Sequence, residues 1–206
     1  NDGRIDIIKK ASGSTELAAI FNNSGLSHSN IFTLDSPSLR AEFDFGDDRS
    51  SAVRLADMNG DGLQDFVMLN GEGQIWYFPG HGVTQNLSTP RSFQGWDKTA
   101  RNWPAEIAGK EGYWMQNAPT SSDEGDFSEI SNFRRIKLLD TNGDGLTDLL
   151  YVSNNRIKIW LNQGGHGFTE TALSIEAASN KIPSLTAQTY IRTADMNANG
   201  STDILW

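Results

Sequence analysis

Apolar residues in this chain fall into short runs that are separated by turns rich in Gly, Asn and Asp. The same arrangement occurs three times, with one run leading into a polar loop and another leading out of it. The runs before the loops are 53–56, 136–139 and 191–194, and the runs after them are 66–69, 149–152 and 204–206. Runs of this length between turn residues predict β-strands rather than helices. A further strand, centred on aromatic residues, is predicted at 75–77 and 159–161.

The three polar loops, 57–65, 140–148 and 195–203, align without a gap. Each has an oxygen-bearing side chain at positions 1, 3, 5 and 9 and Gly at position 6. These oxygen-bearing residues are Asp57, Asn59, Asp61 and Asp65 in the first loop, Asp140, Asn142, Asp144 and Asp148 in the second, and Asp195, Asn197, Asn199 and Asp203 in the third. A partial fourth copy at residues 1–6 lacks the first three positions. Such a recurring pattern is the signature of a repeat architecture.

The residue types in these loops predict calcium binding. Oxygen-only side chains suit a hard cation, Gly at position 6 allows a sharp turn between ligands, and position 7 can add a backbone carbonyl. The position-7 residues are Leu63, Leu146 and Ser201. We therefore expect up to three complete Ca²⁺ sites, with a truncated fourth at Asp2 and Asp6.

Two other interpretations of the loops are weaker. An EF-hand requires Glu at position 12 and an exiting helix, whereas position 12 here is Met68, Tyr151 or Trp206 and the exits are strand-like. Plain Asx-rich turns would explain a single loop, but three complete copies favour a metal site. The third loop has Asn199 in place of a carboxylate, and we expect it to be the weakest complete site, because affinity follows ligand charge.

The repeat spacing predicts an all-β fold, a partial β-propeller of about three four-stranded blades with the calcium loops between strands. The fifth-position residues are 59, 83 and 55 residues apart, so the middle repeat carries an insertion. We expect one propeller segment over 1–206, divided into units of 1–56, 57–139 with the insertion 83–132, 140–194, and the start of a further repeat at 195–206. A closed propeller typically needs four to eight blades, so the segment is expected to be excised from a larger propeller or completed by other chain segments.

Composition limits the partners. The chain has 26 acidic and 17 basic residues and a net charge of −9, which argues against nucleic acid or an anionic membrane as the partner. The nearest approach to a basic cluster, Arg134, Arg135 and Lys137, is interpreted as the solvated side of a strand. The chain has no Cys, which excludes disulfides and thiolate sites. No apolar run reaches the ~20 residues needed for a membrane-spanning helix.

The loop pattern Asp-x-Asn-x-Asp-Gly-x-x-Asp between two strands resembles the FG-GAP or VCBS repeats of integrin α-subunit propellers and of many bacterial surface and secreted proteins. Segments 54–62 and 194–206 are more specifically similar to the propeller region in the B component of bacterial insecticidal toxin complexes and related virulence toxins. The resemblance implies a secreted, non-catalytic scaffold that helps to enclose a toxic payload. It also implies protein partners, either other parts of the same toxin or its translocation component.

Aromatic residues in the insertion leave a second function open. Trp96, Trp103, Tyr113 and Trp114 lie between 83 and 132 and are interpreted as a loop that packs its own cluster over the blade edge. The alternative is an adhesin- or lectin-like module that binds glycans through these residues. Trp76 and Trp160 are predicted at matching strand positions in the core between blades. Histidines 81 and 166 lie in Gly-flanked bends that indicate repeat architecture, so we expect no enzymatic activity.

Overall fold

The computed structural model describes most of the chain from residue 51 onward and three earlier strands. The described residues are 7–10, 17–22, 28–34, 51–70, 73–81, 83–84, 92–93, 96–97, 99–107, 111–119, 135–153, 156–176 and 191–205. Within them, every regular element is a β-strand apart from one short 3₁₀ turn at Ala105–Ile107. No helix among these residues is long and apolar enough to cross a membrane.

The strands form a series of antiparallel sheets in which most paired strands are neighbours along the chain. The first sheet contains β1 (Ile7–Lys10), β2 (Leu17–Asn22) and β3 (His28–Leu34). The second sheet contains β4 (Ser51–Ala56), β5 (Asp65–Asn70), β6 (Ile75–Phe78) and β9 (Tyr113–Trp114), with β7 (Val83–Thr84) and β8 (Ser92–Phe93) as a separate ribbon. The third contains β10 (Ile136–Leu139), β11 (Asp148–Ser153), β12 (Arg156–Trp160) and β13 (Leu173–Glu176), and the fourth contains β14 (Arg192–Ala194) and β15 (Asp203–Leu205).

This architecture confirms the predicted fold class. Two of the sheets have four strands in meander order, and each polar loop joins the first strand of a sheet to its second. The sheets formed by the described strands do not close into a ring. The chain therefore has the fold of a partial β-propeller.

Part of the predicted insertion completes a blade. Tyr113 and Trp114 pair with Tyr77 and Trp76 and form the fourth strand of the second sheet. The expectation of a loop with its own separate cluster was therefore wrong for this stretch. A strand of two residues is too short to leave a periodic pattern in the sequence.

The main core lies between the second and third sheets. Directly paired residues share a face, and the facing sides of the two sheets are mainly apolar, with Arg54 beside Val67 and Lys158 beside Tyr151. The buried residues that meet there include Val67, Leu69, Ile75 and Tyr77 from the second sheet and Ile136, Leu149, Tyr151 and Trp160 from the third. Each fully buried side chain of this size contributes roughly 1.5–3 kcal/mol of transfer free energy.

The predicted equivalence of Trp76 and Trp160 was wrong. Trp160 is buried and pairs with Leu149, the first residue after its loop, whereas the corresponding residue Phe66 pairs with Phe78. Trp76 is only partly buried. Five residues separate the paired Leu69 and Ile75, whereas four separate the corresponding Val152 and Ile157. By register Trp76 therefore corresponds to Lys158, and the place of Trp160 is taken by Phe78.

Hydrogen bonds between successive sheets recur at the loops. The amide at position 8 of a loop donates to the carbonyl at position 1 of the preceding loop, from Thr147 to Asp57 at 2.9 Å and from Thr202 to Asp140 at 3.1 Å. A backbone bond of this kind has no side-chain signature. It places the three loops side by side along one edge of the sheets.

Asn162 connects the second and third sheets from a buried position. Its Nδ2 donates to the carbonyls of Met58 and Thr147 at 2.8 and 2.9 Å, and its Oδ1 accepts the Gly165 amide at 2.8 Å. Beside it, the Tyr77 hydroxyl donates to the Gly165 carbonyl at 3.1 Å. Gly165 has φ of +79°, and a Cβ there would lie 2.7 Å from the Tyr77 hydroxyl oxygen, so only Gly fits.

We predict that Asn162→Ala destabilises the fold by about 2–3 kcal/mol, because it leaves buried carbonyl and amide groups without partners. Denaturant unfolding followed by circular dichroism would measure the change. The adjacent Gln163→Ala is the matched control, since Gln163 is exposed, and it should cost less than about 0.5 kcal/mol. Equal losses in both variants would contradict the bridging role of Asn162.

Candidate functional site

The first-position carboxylate organises each loop. Asp57 accepts the Gly60 amide on Oδ1 and the Gly62 amide on Oδ2, both at 2.8 Å. Asp140 accepts the amides of Gly143 and Gly145 in the same way, at 2.7 and 2.9 Å. The glycines of the first loop have φ of +78° and +80°, a backbone conformation that residues with a Cβ rarely adopt. The loop therefore curls around its first carboxylate.

The side chains at positions 3 and 5 accept further backbone amides within the loop. Asn59 Oδ1 accepts the Asp61 amide at 3.0 Å, and Asp61 Oδ1 accepts the Leu63 amide at 2.8 Å. The Asn59 Nδ2 also donates to Asp61 Oδ2 at 3.0 Å. The second loop repeats all of these contacts through Asn142, Asp144 and Leu146. These are Asx-type turns, in which a side chain imitates a backbone acceptor.

The ninth-position aspartate has a structural task that the sequence did not reveal. Asp65 is fully buried and accepts the amides of Met58 and Gly80, both at 2.8 Å. Asp148 is also fully buried and accepts the amides of Thr141 and Asn162, at 3.1 and 2.8 Å. The carboxylate thus joins the start of its own loop to the residue two positions after the third strand.

Burial has an electrostatic consequence at Asp65. The pKa of Asp65 is raised to about 7, chiefly by desolvation; the two amide bonds oppose the rise, and the charges of Asp61 and Asp57 add to it. The cost of ionising this carboxylate therefore comes mainly from its burial. A cation among the loop carboxylates would favour the ionised form, because opposite charge stabilises it.

The third loop has the same kinds of hydrogen bond, with some changes of partner. Asp195 accepts the amides of Asn199 and Gly200, Asn197 accepts the Asn199 amide, and Asp203 accepts the Met196 amide at 2.9 Å. Ser201 donates its hydroxyl to Asn199 Oδ1 at 2.7 Å. Position 4 is Ala198 with φ of +57°, where the other loops have Gly. A non-glycine residue there costs roughly 1–2 kcal/mol, which adds strain to the lower carboxylate count.

The donor chemistry of the loops fits a calcium ion. All candidate side chains offer oxygen, and an ionised carboxylate has about four acceptor positions, so the amide bonds leave capacity for a cation. Within the described residues, no group of three or more His, Cys, Asp or Glu side chains converges into a metal-binding cluster. The candidate ligands of each loop instead include both Asp and Asn side chains. Calcium binding stays a prediction, and the partial loop at Asp2 and Asp6 lies outside the described residues.

A shallow aromatic groove is the other candidate site. Its volume is about 410 Å³, and its lining residues are Asn102, Trp103, Pro104, Trp114, Gln116 and Asn117. The ring centroids of Trp103 and Trp114 are 4.8 Å apart, and those of Trp103 and Trp76 are 5.9 Å apart. The three tryptophans therefore form one partly exposed cluster on the second sheet.

Hydrogen bonds fix the polar side of the groove. Asn102 donates from Nδ2 to the carbonyls of Trp114 and His166, at 3.0 and 2.9 Å, and accepts Gln116 Nε2 at 2.9 Å. The Gln116 amide donates to the His166 carbonyl at 3.1 Å, and the Gln116 carbonyl accepts the Phe168 amide at 2.9 Å. The groove is thus attached to the bend that follows β12.

Comparisons with known proteins agree with this geometry. Residues 140–206, about a third of the chain, match the family described as FG-GAP-like repeat. By fold, the chain is similar to the crystal structure of TcdB2-TccC3, with a TM-score of 0.53 and 18% identity over 92% of this chain and 7% of that chain. It is also similar to the Photorhabdus luminescens Tc holotoxin pore with a mutated TccC3, with a TM-score of 0.57 and 18% identity over 97% of this chain and 8% of that chain. No curated protein sequence matches the chain.

The class of protein follows from these findings. The chain has a partial β-propeller fold whose C-terminal third matches FG-GAP-like repeats, and this fold occurs within Tc toxins. The resemblance drawn from the loop pattern is therefore confirmed. The chain spans only 7–8% of the length of the toxin chains that it matches.

We predict that Asp148→Ala destabilises the protein by at least about 2 kcal/mol even in chelator, because the amides of Thr141 and Asn162 lose a buried acceptor. Denaturant unfolding in excess EDTA would measure the loss. Asp144→Ala in the same buffer is the control, since Asp144 is exposed, and it should cost less than about 1 kcal/mol. Equal stability of the two variants in chelator would contradict a structural task for position 9.

Proposed function

We propose that this chain is a non-catalytic, calcium-stabilised β-propeller segment that acts as a scaffold and protein-interaction surface in a large secreted bacterial toxin. The observation that carries the proposal is the threefold recurrence of one loop geometry, closed on the carboxylates of Asp57, Asp140 and Asp195. Those loops lie in a fold that is similar to part of the Tc toxins.

Calcium would act as a clamp at the loops. The residues that would hold it are the oxygen-bearing side chains at positions 1, 3, 5 and 9 and the carbonyls of Leu63, Leu146 and Ser201. The ion supplies positive charge among carboxylates that otherwise repel one another. Because successive loops are hydrogen-bonded through Thr147 and Thr202, stabilising one loop also stabilises its neighbour.

The proposed partners are other parts of the same toxin or its translocation component, and the proposed location is extracellular. The matched structures are large assemblies of toxin subunits, and this chain corresponds to a small part of one of their chains. A propeller segment of this size contributes packing surfaces rather than a separate activity. The loop carboxylates support that role, since they bind backbone amides of their own sheet.

The calcium proposal predicts a large change in thermal stability. At about a hundred times the dissociation constant, each occupied site adds ~2.7 kcal/mol to the free energy of unfolding. Differential scanning calorimetry with calcium and with EDTA would measure the shift. The control Asp144→Asn removes one exposed loop carboxylate and should reduce the calcium-dependent gain, with little change in chelator. Unchanged melting with calcium, together with no metal by elemental analysis, would refute calcium binding.

The same titration tests the ranking of the loops. The loop at Asp195 should fill last, because it has two carboxylates rather than three and carries the backbone strain at Ala198. Asn199→Asp should raise the affinity of the weakest site in isothermal titration. If that substitution leaves the weakest step unchanged, ligand charge does not set the order of filling.

A second candidate function, glycan binding by an adhesin- or lectin-like module, is favoured by the groove. Sugars present apolar C–H faces and hydroxyl groups, which match the partly exposed rings of Trp103 and Trp114 and the amides of Gln116 and Asn117. The lining residues are uncharged, which suits a neutral sugar. Asn102 and Gln116 hold the polar side of the groove in place through bonds to one another.

The glycan proposal predicts that Trp114→Ala lowers the affinity for a bound oligosaccharide by about tenfold, because a stacked aromatic ring is lost. A glycan array would identify the sugar, and titration calorimetry would measure the affinity. Leu173→Ala is the control, since Leu173 is an exposed apolar residue of the third sheet, and it should leave affinity unchanged. No binding to any sugar on the array would eliminate this candidate.

A further inference from the structure

The third loop has its Asn-Gly pair at a different place from the other two loops. In those loops the pair occupies positions 3 and 4, at 59–60 and 142–143, and Asp-Gly follows at positions 5 and 6. In the third loop position 4 is Ala198, and the Asn-Gly pair 199–200 occupies positions 5 and 6. Loss of ammonia from Asn199 would therefore produce the Asp-Gly pair that the other loops have there.

An Asn side chain that is followed by Gly can lose ammonia through attack by the next backbone nitrogen. The Gly nitrogen bonds to the side-chain Cγ, the bond from Cγ to Nδ2 breaks, and the proton of the Gly amide leaves with Nδ2 as ammonia. The product is a cyclic succinimide. Water then adds at Cγ, which gives Asp, or at the main-chain carbonyl, which gives isoaspartate. Gly favours the reaction because it has no Cβ to block the approach of its nitrogen.

Two contacts that assist this reaction occur in all three loops. The Gly amide donates to the first-position carboxylate, from Gly143 to Asp140 at 2.7 Å and from Gly200 to Asp195 at 2.9 Å, so an acceptor for the amide proton is in place. The Asn Oδ1 accepts the amide two residues further on, which holds the side chain over the backbone that follows it. The Asn-Gly pairs of the first two loops are therefore matched references for Asn199.

Hydrogen bonds to the side-chain amide distinguish Asn199 from Asn142, although both residues are exposed. The Ser201 hydroxyl donates to Asn199 Oδ1 at 2.7 Å, in addition to the Ser201 amide at 2.9 Å. This second donor stabilises the negative charge that develops on the oxygen during attack. The Asn142 Nδ2 donates to Asp144 Oδ2 at 2.9 Å, whereas no acceptor among the described residues holds the Asn199 Nδ2. The leaving group of Asn199 is therefore the freer one.

The space around the Gly residue is a further difference. A Cβ at Gly60 would lie 3.0 Å from Leu146 Cδ2, and one at Gly143 would lie 3.8 Å from the carbonyl group of Gly200. A Cβ at Gly200 would meet no atom within 4 Å. Closing the succinimide ring requires the Gly peptide to rotate. Of these three pairs, the one at 199–200 has the most space for that movement.

We propose that Asn199 is a deamidation site, at which the Gly200 nitrogen displaces ammonia and water then produces aspartate or isoaspartate. The aspartate product gives the third loop the position-5 carboxylate that the other two loops have. The effect on metal binding rests on the proposed calcium function, since three carboxylates should bind calcium more tightly than two. The isoaspartate product adds a methylene to the main chain, which displaces the turn to Ser201 and should weaken the site.

The reaction can be followed in the whole 206-residue chain, incubated in mildly alkaline buffer with excess EDTA. Peptide mapping by mass spectrometry would measure the loss of ammonia at each Asn, and electron-transfer fragmentation would separate Asp from isoaspartate. Asn199 should react at least about fivefold faster than Asn142, because one further hydrogen bond on the attacked carbonyl changes the rate by about this factor. Asn142 is the control within the same molecule.

Variants assign the difference in rate to the Ser201 hydroxyl. Ser201→Ala keeps the backbone donor and should slow the reaction at Asn199 by about fivefold, with no change at Asn142. Ser201→Thr keeps a hydroxyl and should react at the parent rate. Asn199→Gln should stay unmodified over the same period, because its longer side chain would have to close a larger ring.

The effect on calcium binding is measured by titration calorimetry of the aged chain. The aspartate form, separated by ion exchange, should bind calcium at the weakest site like Asn199→Asp and more tightly than the fresh chain. Aged Asn199→Gln should bind as it did before ageing.

Equal rates at Asn199 and Asn142, or an unchanged rate at Asn199 in Ser201→Ala, would overturn the deamidation site. Because the rates are measured in chelator, they do not depend on calcium. A chain that binds no calcium would refute the proposed function and leave these rates as they are. Unchanged calcium affinity of the aspartate form, in a chain that does bind calcium, would refute the effect of the modification on the third loop.

Discussion

The buried aspartate at position 9 is the constraint on which each sheet depends. Its carboxylate accepts one amide from the start of its loop and one from the residue two positions after the third strand. A hydrogen bond to a charged group contributes about 1.5–3 kcal/mol, and the unpaired alternative in a buried place is costly. Asp65 and Asp148 therefore determine where the loop begins and where the third strand ends. The apolar strands between these two points can then pair in only one register.

From this anchor the repeats connect to one another. The loop that is held by Asp148 presents the Thr147 amide to the Asp57 carbonyl of the preceding loop, and Thr202 does the same for Asp140. Asn162, whose amide binds Asp148, reaches back to Met58 with its side chain. The residues of each loop and its bend therefore also form the hydrogen bonds between sheets. This explains why the loops lie side by side instead of projecting separately into solvent.

The sequence predicted the elements that repeat and missed those that do not. Apolar runs beside an aligned loop gave the strands, and the loop pattern gave the residues that the structure places around Asp57, Asp140 and Asp195. Asn162 left no signal because its counterpart in the second sheet is Gly80. The register of Trp76 depends on one extra residue in the turn before it, and an alignment by residue type does not show this difference. The sequence did not predict burial at position 9, because a carboxylate in a polar loop is usually interpreted as an exposed metal ligand.

Repetition also explains the distribution of charge. Because each motif has carboxylates in its loop, stacking the sheets produces an acidic row at the loops. The carboxylates of this row repel one another, because they have like charge. The hydrogen bonds from Thr147 and Thr202 hold the acidic loops together despite this repulsion. A cation at the loops would remove this cost, and it would strengthen the stacking that created its site.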